Sequence, residues 1–191
     1  MKYAFFFYGQ FRSFKYNLEN NLQEIYEPII KNNTIDVFIV TNKEGNYSKE
    51  NEKEIVNIFN KYNCCVKFIK FWEDLTEYHE KEIQNKRNYF ANCRHQFGRI
   101  DFTTSLWFRR YVNNKIKNEY CKQHNLEYDL HMFIRLFDMK IKKHQTDIFI
   151  KNKIEECCIS NKMLASICTI FIGNKEIVDK VFEFGKETTK I

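Results

Sequence analysis

The chain has 191 residues, enough for one domain with a real core, and its 31 basic and 25 acidic residues leave a net charge of only +6. Lysine is spread along the chain rather than blocked, so the charge helps attract small anions and excludes a nucleic-acid arm. No apolar run reaches membrane-spanning length and no signal-peptide pattern opens the chain, and the seven cysteines include no C-x-x-C pair; together these point to a reduced, soluble, cytoplasmic protein without a disulfide or zinc framework.

The first element is the apolar run Tyr3-Ala4-Phe5-Phe6-Phe7-Tyr8, which predicts a strand buried on both faces. It stops at Gly9-Gln10-Phe11-Arg12. Glycine permits close approach of backbone to a ligand, and Gln10 and Arg12 add an amide and a guanidinium suited to phosphate or carboxylate. Phe14, Leu18, Leu22, Ile25 and Ile29 then recur at helical spacing, ending near Pro28. Ile35 to Val40 reads as a second buried strand, ending in Thr41-Asn42. A Gly45-Asn46 loop leads to a helix striped by Ile55, Ile58, Phe59 and Tyr62, and a third strand runs from Cys65 to Phe71. Strand-helix-strand-helix-strand favours parallel pairing with right-handed crossovers.

Residues 73 to 124 are polar and largely helical, with Leu106, Trp107, Val112 and Ile116 marking a long crossover helix. Leu130 to Phe137 predicts a fourth strand, ending in Arg135-Leu136-Phe137-Asp138. Asp147 to Ile150 is a candidate short strand, and Thr169 to Ile172 a late one ended by Gly173. Asn174 then suits the N-cap of a helix striped by Ile177, Val178, Val181 and Phe182. The expected architecture is a single α/β layer sandwich over residues 1–191, with a mostly parallel sheet flanked by helices.

Walker, G-x-G-x-x-G and G-x-S-x-G motifs are absent, which disfavours P-loop enzymes, dinucleotide dehydrogenases and α/β-hydrolases. What remains is polar residues at three strand ends: Gly9, Gln10 and Arg12; Thr41 and Asn42; Arg135 and Asp138. In a parallel sheet these ends share one edge, where ligands bind. Each has a plainer reading: Arg12 pairing with Glu19, Asp138 capping a turn, Gly173-Asn174 making a strand-to-helix corner, and Trp72 and Trp107 anchoring the core.

Four segments in order, Tyr8-Gly9-Gln10-Phe11-Arg12-Ser13-Phe14, Ile35 to Thr41, Tyr128-Asp129 leading into Ile134-Arg135-Leu136-Phe137-Asp138, and Phe171-Ile172-Gly173-Asn174-Lys175-Glu176, resemble glycosyltransferase-like proteins of the GT-A fold found in large DNA viruses and some bacteria. The resemblance implies a GT-A-like (Rossmann-like) domain transferring a sugar from a nucleoside-diphosphate sugar to a glycan or other hydroxyl acceptor. It implies Gly9, Gln10 and Arg12 beside the nucleotide, with Thr41, Asn42 and Arg135 along the same site. Asp138 would handle the diphosphate and a Mn²⁺ or Mg²⁺ ion, and Gly173 and Asn174 would face the substrate. Two departures stand out: Asp138 has no second acid of a D-x-D pair, and Ile167-Cys168-Thr169 stands where the group often carries an acid. They leave open an alternative, a catalytically inactive nucleotide-sugar or glycan-binding module.

Overall fold

The computed structural model describes residues 1–11, 14–43, 47–75, 100–135, 141, 151–160, 163–166 and 170–187. In chain order the elements are β1 (Lys2–Gln10), α1 (Phe14–Ile25), β2 (Thr34–Asn42), α2 (Lys49–Lys61), β3 (Cys64–Phe71), α3 (Ile100–Gln123), β4 (Leu130–Arg135), α4 (Lys151–Ile159), β5 (Leu164–Ser166), β6 (Ile170–Gly173) and α5 (Lys175–Glu187). The protein is α/β, as its alternating pattern predicts. The expected strand at 147–150 and residues 136–137, the end of the fourth predicted strand, lie outside the described residues.

The chain divides into two compact units, residues 1–72 with 127–178, and 73–126 with 179–191. The first unit holds a sheet of six strands among the described residues, in the order β3-β2-β1-β4-β6-β5. The pairs β1–β2, β1–β4 and β2–β3 are parallel, whereas β6 runs antiparallel to both β4 and β5. Parallel pairing over the first strands follows from their helical crossovers. The three-residue β5 is too short to stand out as a pattern in the sequence.

Why β1 is so apolar is now plain. Tyr3, Phe5 and Phe7 share one face with Ile35, Val37, Ile39, Leu130, Met132 and Ile134, packed against Leu18, Leu22, Ile55, Phe59 and Ile154 of the helices. On the other face Phe6 stacks on Phe133 at 5.0 Å between ring centroids, and both are fully buried. A central parallel strand covered on both sides has no polar face to offer. All five residues of the predicted α1 stripe, Phe14 to Ile29, are buried, and Pro28 falls in a π-helical turn (Tyr26–Ile30) that ends the helical stretch.

Local chemistry sets the helix ends. Ser48 and Asn51 form a reciprocal capping box that starts α2. Asn63 (φ 56°) and Asn125 (φ 51°) take the left-handed conformation just past α2 and α3, where asparagine is tolerated better than most residues. Past α3, the Leu126 amide donates to the Cys121 carbonyl at 2.8 Å, closing a Schellman turn.

The second unit contains the expected long helix, α3, and it buries polar side chains. On α3 the buried residues include Arg110, Asn113, Asn114 and Lys117, a polar face at helical spacing, beside Val112 and Cys121. Ile116 is only half-buried, and the side chains of Leu106 and Trp107 lie outside the described residues. Of the apolar positions read from the sequence, Val112 thus lies on the buried face of α3, with Ile116 at its margin. Trp72 is buried, as a core anchor should be.

Cysteine behaves as structural filler. Cys64 points inward and Cys65 outward, the alternation expected of neighbours in a strand, and burial pushes the Cys64 thiol up to about 12.

Candidate functional site at the carboxyl edge of the sheet

Strand register brings the predicted residues of β1, β2 and β4 to one edge. Gly9 pairs with Thr41, Gln10 with Asn42, and Tyr8 lies between Val40 and Arg135. Segments separated by up to about 125 residues of chain meet within neighbouring strands, roughly 4.8 Å apart. The chain runs β1 to β2 to β3 in one direction and then returns to the other side of β1 as β4. The β1–β4 boundary is therefore a topological switch point, where connections diverge and leave a crevice beyond the strand ends. Arg135 and Asn42 lie on the same sheet face, since each aligns with the Tyr8–Val40 row at an even spacing.

Gly9 has φ 137°, a conformation side-chain-bearing residues rarely adopt. The Thr41 hydroxyl donates to the Gly9 carbonyl at 2.8 Å from a fully buried position. Thr41 thus holds the end of β1 in place, and its hydroxyl hydrogen is already committed. Gly9→Ala should cost about 1–3 kcal/mol of stability through backbone strain. Thr41→Val, which keeps the shape and removes the hydroxyl, should cost only about 1 kcal/mol. Urea denaturation of both variants checks this order; equal losses would show that the Gly9 backbone is not constrained as described.

Below the edge lies an aromatic group that the sequence reading passed over. Phe11 packs on Phe14 (4.3 Å) and edge-on to Tyr47 (5.7 Å), and Tyr47 packs on Phe71 (4.5 Å). Tyr47 also donates its hydroxyl to Glu52 on α2. Lys43, immediately after Asn42, sets its ammonium 5.3 Å from the Phe71 ring centre, a cation–π arrangement. Lys43 adds a second cation to the strand ends that carry Arg135. The signal for it was its position one residue beyond β2.

Arg12 and Asp138 lie outside the described residues, and so does Cys168. The described ends of β1, β2 and β4 supply amides, a hydroxyl and cations but no carboxylate. Among the described residues, no group of three His, Cys, Asp or Glu side chains is arranged to hold a metal ion. These described donors match an anionic oxygen ligand; Asp138, the residue expected to hold a Mn²⁺ or Mg²⁺ ion, is not among them.

Gly173 and Asn174 are elsewhere. Because β6 is antiparallel, Gly173 pairs with His131 near the start of β4, at the amino edge of the parallel strands. Four residues of β4 separate that level from Arg135, roughly 13 Å. Their substrate role therefore does not join this edge, and packing and capping account for both residues. A Cβ on Gly173 would sit 2.6 Å from Ile177 Cγ2. The Asn174 side-chain oxygen accepts from the Ile177 amide (3.0 Å), capping α5, while its NH₂ donates to the Ser160 carbonyl (2.9 Å). Asn174→Ala should cost about 1 kcal/mol, lowering the melting temperature by roughly 2–4 °C. Unchanged thermal denaturation would remove Asn174 from the cap.

The same amino edge carries Asp36, buried at 3 % exposure. Its carboxylate accepts from the Tyr128 hydroxyl (2.7 Å) and pairs with Lys67 (3.2 Å) and Lys2 (3.5 Å). Asp129 accepts from the Lys2 amide at 2.8 Å, which fixes it here too, far from the Arg135 end. Buried charges survive when paired, and this network is such a case; it fastens β1, β2 and β3 to the segment entering β4. No protein-family model, no curated protein and no solved structure matches this chain.

Proposed function

We propose that the chain is a nucleotide-sugar-dependent glycosyltransferase of GT-A type, binding its donor across the carboxyl edge of the sheet. The observation that carries this reading is the convergence of Gly9, Gln10, Asn42 and Arg135 at the β1–β4 switch point. The chemistry follows from charge. Transfer breaks the bond between the sugar's anomeric carbon and a diphosphate oxygen, while the acceptor hydroxyl oxygen bonds to that carbon and gives up its proton to the departing phosphate or to solvent. The departing diphosphate gains negative charge, which a guanidinium fixed at the strand end offsets. Arg135, with Lys43 nearby in sequence from β2, supplies that positive field. The constrained backbone at Gly9 leaves room for a ligand to approach the chain closely.

The test is thermal denaturation of the purified protein with UDP, GDP, CMP and their sugars, each with and without Mn²⁺. A bound nucleotide at about 100 times its dissociation constant adds roughly 2.7 kcal/mol. A shift with one sugar nucleotide that needs no metal supports diphosphate binding by arginine. A metal-dependent shift assigns the ion to Asp138 or its neighbours. No shift with any of them sinks the reading. Binding without transfer or hydrolysis would identify the inactive nucleotide-sugar-binding module.

A further inference from the structure

We propose that Cys65 and Lys67 of β3 form a redox switch, joined under oxidation through a single bridging oxygen between the cysteine Sγ and the lysine Nζ. The Lys67 ammonium donates to the Cys65 sulfur at 3.4 Å and pairs with the Asp36 carboxylate at 3.2 Å. Thiol and amine are thus already in contact. The switch lies at the amino edge of the sheet and does not depend on the donor reading.

Local geometry builds the pair. Val37 pairs with Val66 and Phe38 with Phe68, so Lys67 is an extra residue in β3, a bulge. Val66 and Ile69 both pack against the hydrophobic core on the Val37 face of the sheet, although they are three residues apart, which a regular strand does not allow. The bulge absorbs the odd residue and leaves Lys67 beside Cys65 on the opposite face. Cys65 also differs from the cysteines that fill the core. Among the described cysteines it alone is exposed, so a small oxidant reaches it.

The chemistry balances with dioxygen as the oxidant. Sulfur and nitrogen each lose two electrons, and dioxygen takes all four. One of its oxygen atoms forms the new S–O and N–O bonds. The other leaves as water with the thiol hydrogen and one ammonium hydrogen, and one further proton passes to solvent. A nitrogen bonded to oxygen is a far weaker base than an alkyl amine, so the bridge removes the Lys67 charge. Asp36 then keeps Lys2, at 3.5 Å, and the Tyr128 hydroxyl, but loses its nearer cation. Oxidation at the surface is thereby coupled to the network that fastens β3 to β2.

The experiment is mass spectrometry of the full chain held under dioxygen or under nitrogen, before and after dithiothreitol. Under dioxygen the chain should gain about 14 Da, one oxygen less two hydrogens, and lose it again on reduction. Trypsin should no longer cut after Lys67, which places the gain on one peptide holding both residues. Cys65→Ser changes an exposed position and Lys67→Arg keeps the charge beside Asp36, so both should fold normally and neither should show the gain. The bridged protein should melt roughly 2–4 °C below the reduced one, the effect of losing one part-exposed ion pair. The proposal is overturned by a gain of about 16 or 32 Da at Cys65 with cleavage after Lys67 intact, by a loss of about 2 Da marking a disulfide or sulfenamide, or by no change in mass. An unchanged melting temperature in the bridged form overturns the link to Asp36.

Discussion

Replacing Arg135 by alanine should weaken binding of a nucleoside diphosphate roughly 10- to 100-fold, with little change in stability. Hydrogen bonds to a charged partner are worth about 1.5–3 kcal/mol, and each 1.4 kcal/mol is about a factor of ten. Arg135 ends β4 beside Tyr8, half-buried, so its charge is less screened than that of a fully exposed side chain. Arg135→Lys separates the two parts of the effect. Lysine keeps the charge but loses the planar fork that grips two phosphate oxygens, so it should recover only part of the affinity. Titration calorimetry with UDP and GDP at two salt concentrations reads both variants. Full affinity in Arg135→Ala, with an unchanged melting temperature, would move the anion site away from the β1–β4 boundary.

The largest loss of stability should come from Phe7→Ala. Phe7 is 0 % exposed, lies edge-on to Phe5 at 6.1 Å and packs on Phe59 of α2 at 4.9 Å. Removing a buried phenyl ring costs about 3–5 kcal/mol, since the lost transfer energy is joined by a cavity the neighbours only partly fill. Set against a typical total of about 5–15 kcal/mol, that is a large share of the fold. The melting temperature should fall by roughly 6–20 °C for a chain of this size. The Asp36 network is a weaker anchor despite its charges. Its lysine side chains are 37 % and 26 % exposed, so water recovers part of what the carboxylate supplied. A loss below about 1 kcal/mol for Phe7→Ala would mean that this face of the sheet is not close-packed.

Parts of this molecule are legible without coordinates. An aromatic run with no polar alternation has to be buried on both sides, and β1 is. The stripe from Phe14 to Ile29 and that of Ile55, Ile58 and Phe59 identify helices by spacing alone, because one face must meet the sheet. The polar ends Gly9-Gln10, Thr41-Asn42 and Arg135 stand out because each interrupts an apolar strand. Other features resist such reading. Nothing in the composition of α3 announces that Arg110, Asn113, Asn114 and Lys117 are buried, because burial of a polar side chain depends on which segments pack over it and not on its own helix. The partners of Asp36 are similarly invisible: Lys2, Lys67 and Tyr128 come from three separate stretches of chain.

The amino-acid order by itself determined the α/β class, the identity of most elements and the polar character of the strand ends, since these depend on side-chain periodicity within a few residues. Tertiary structure alone decided which ends are neighbours. Parallel register set Gly9 against Thr41 and Tyr8 against Arg135, making one edge of residues far apart in the chain. It also decided direction. A strand's pattern of apolar residues reads the same whichever way it runs, and antiparallel β6 carried Gly173 and Asn174 to the opposite edge, where packing and a helix cap account for them.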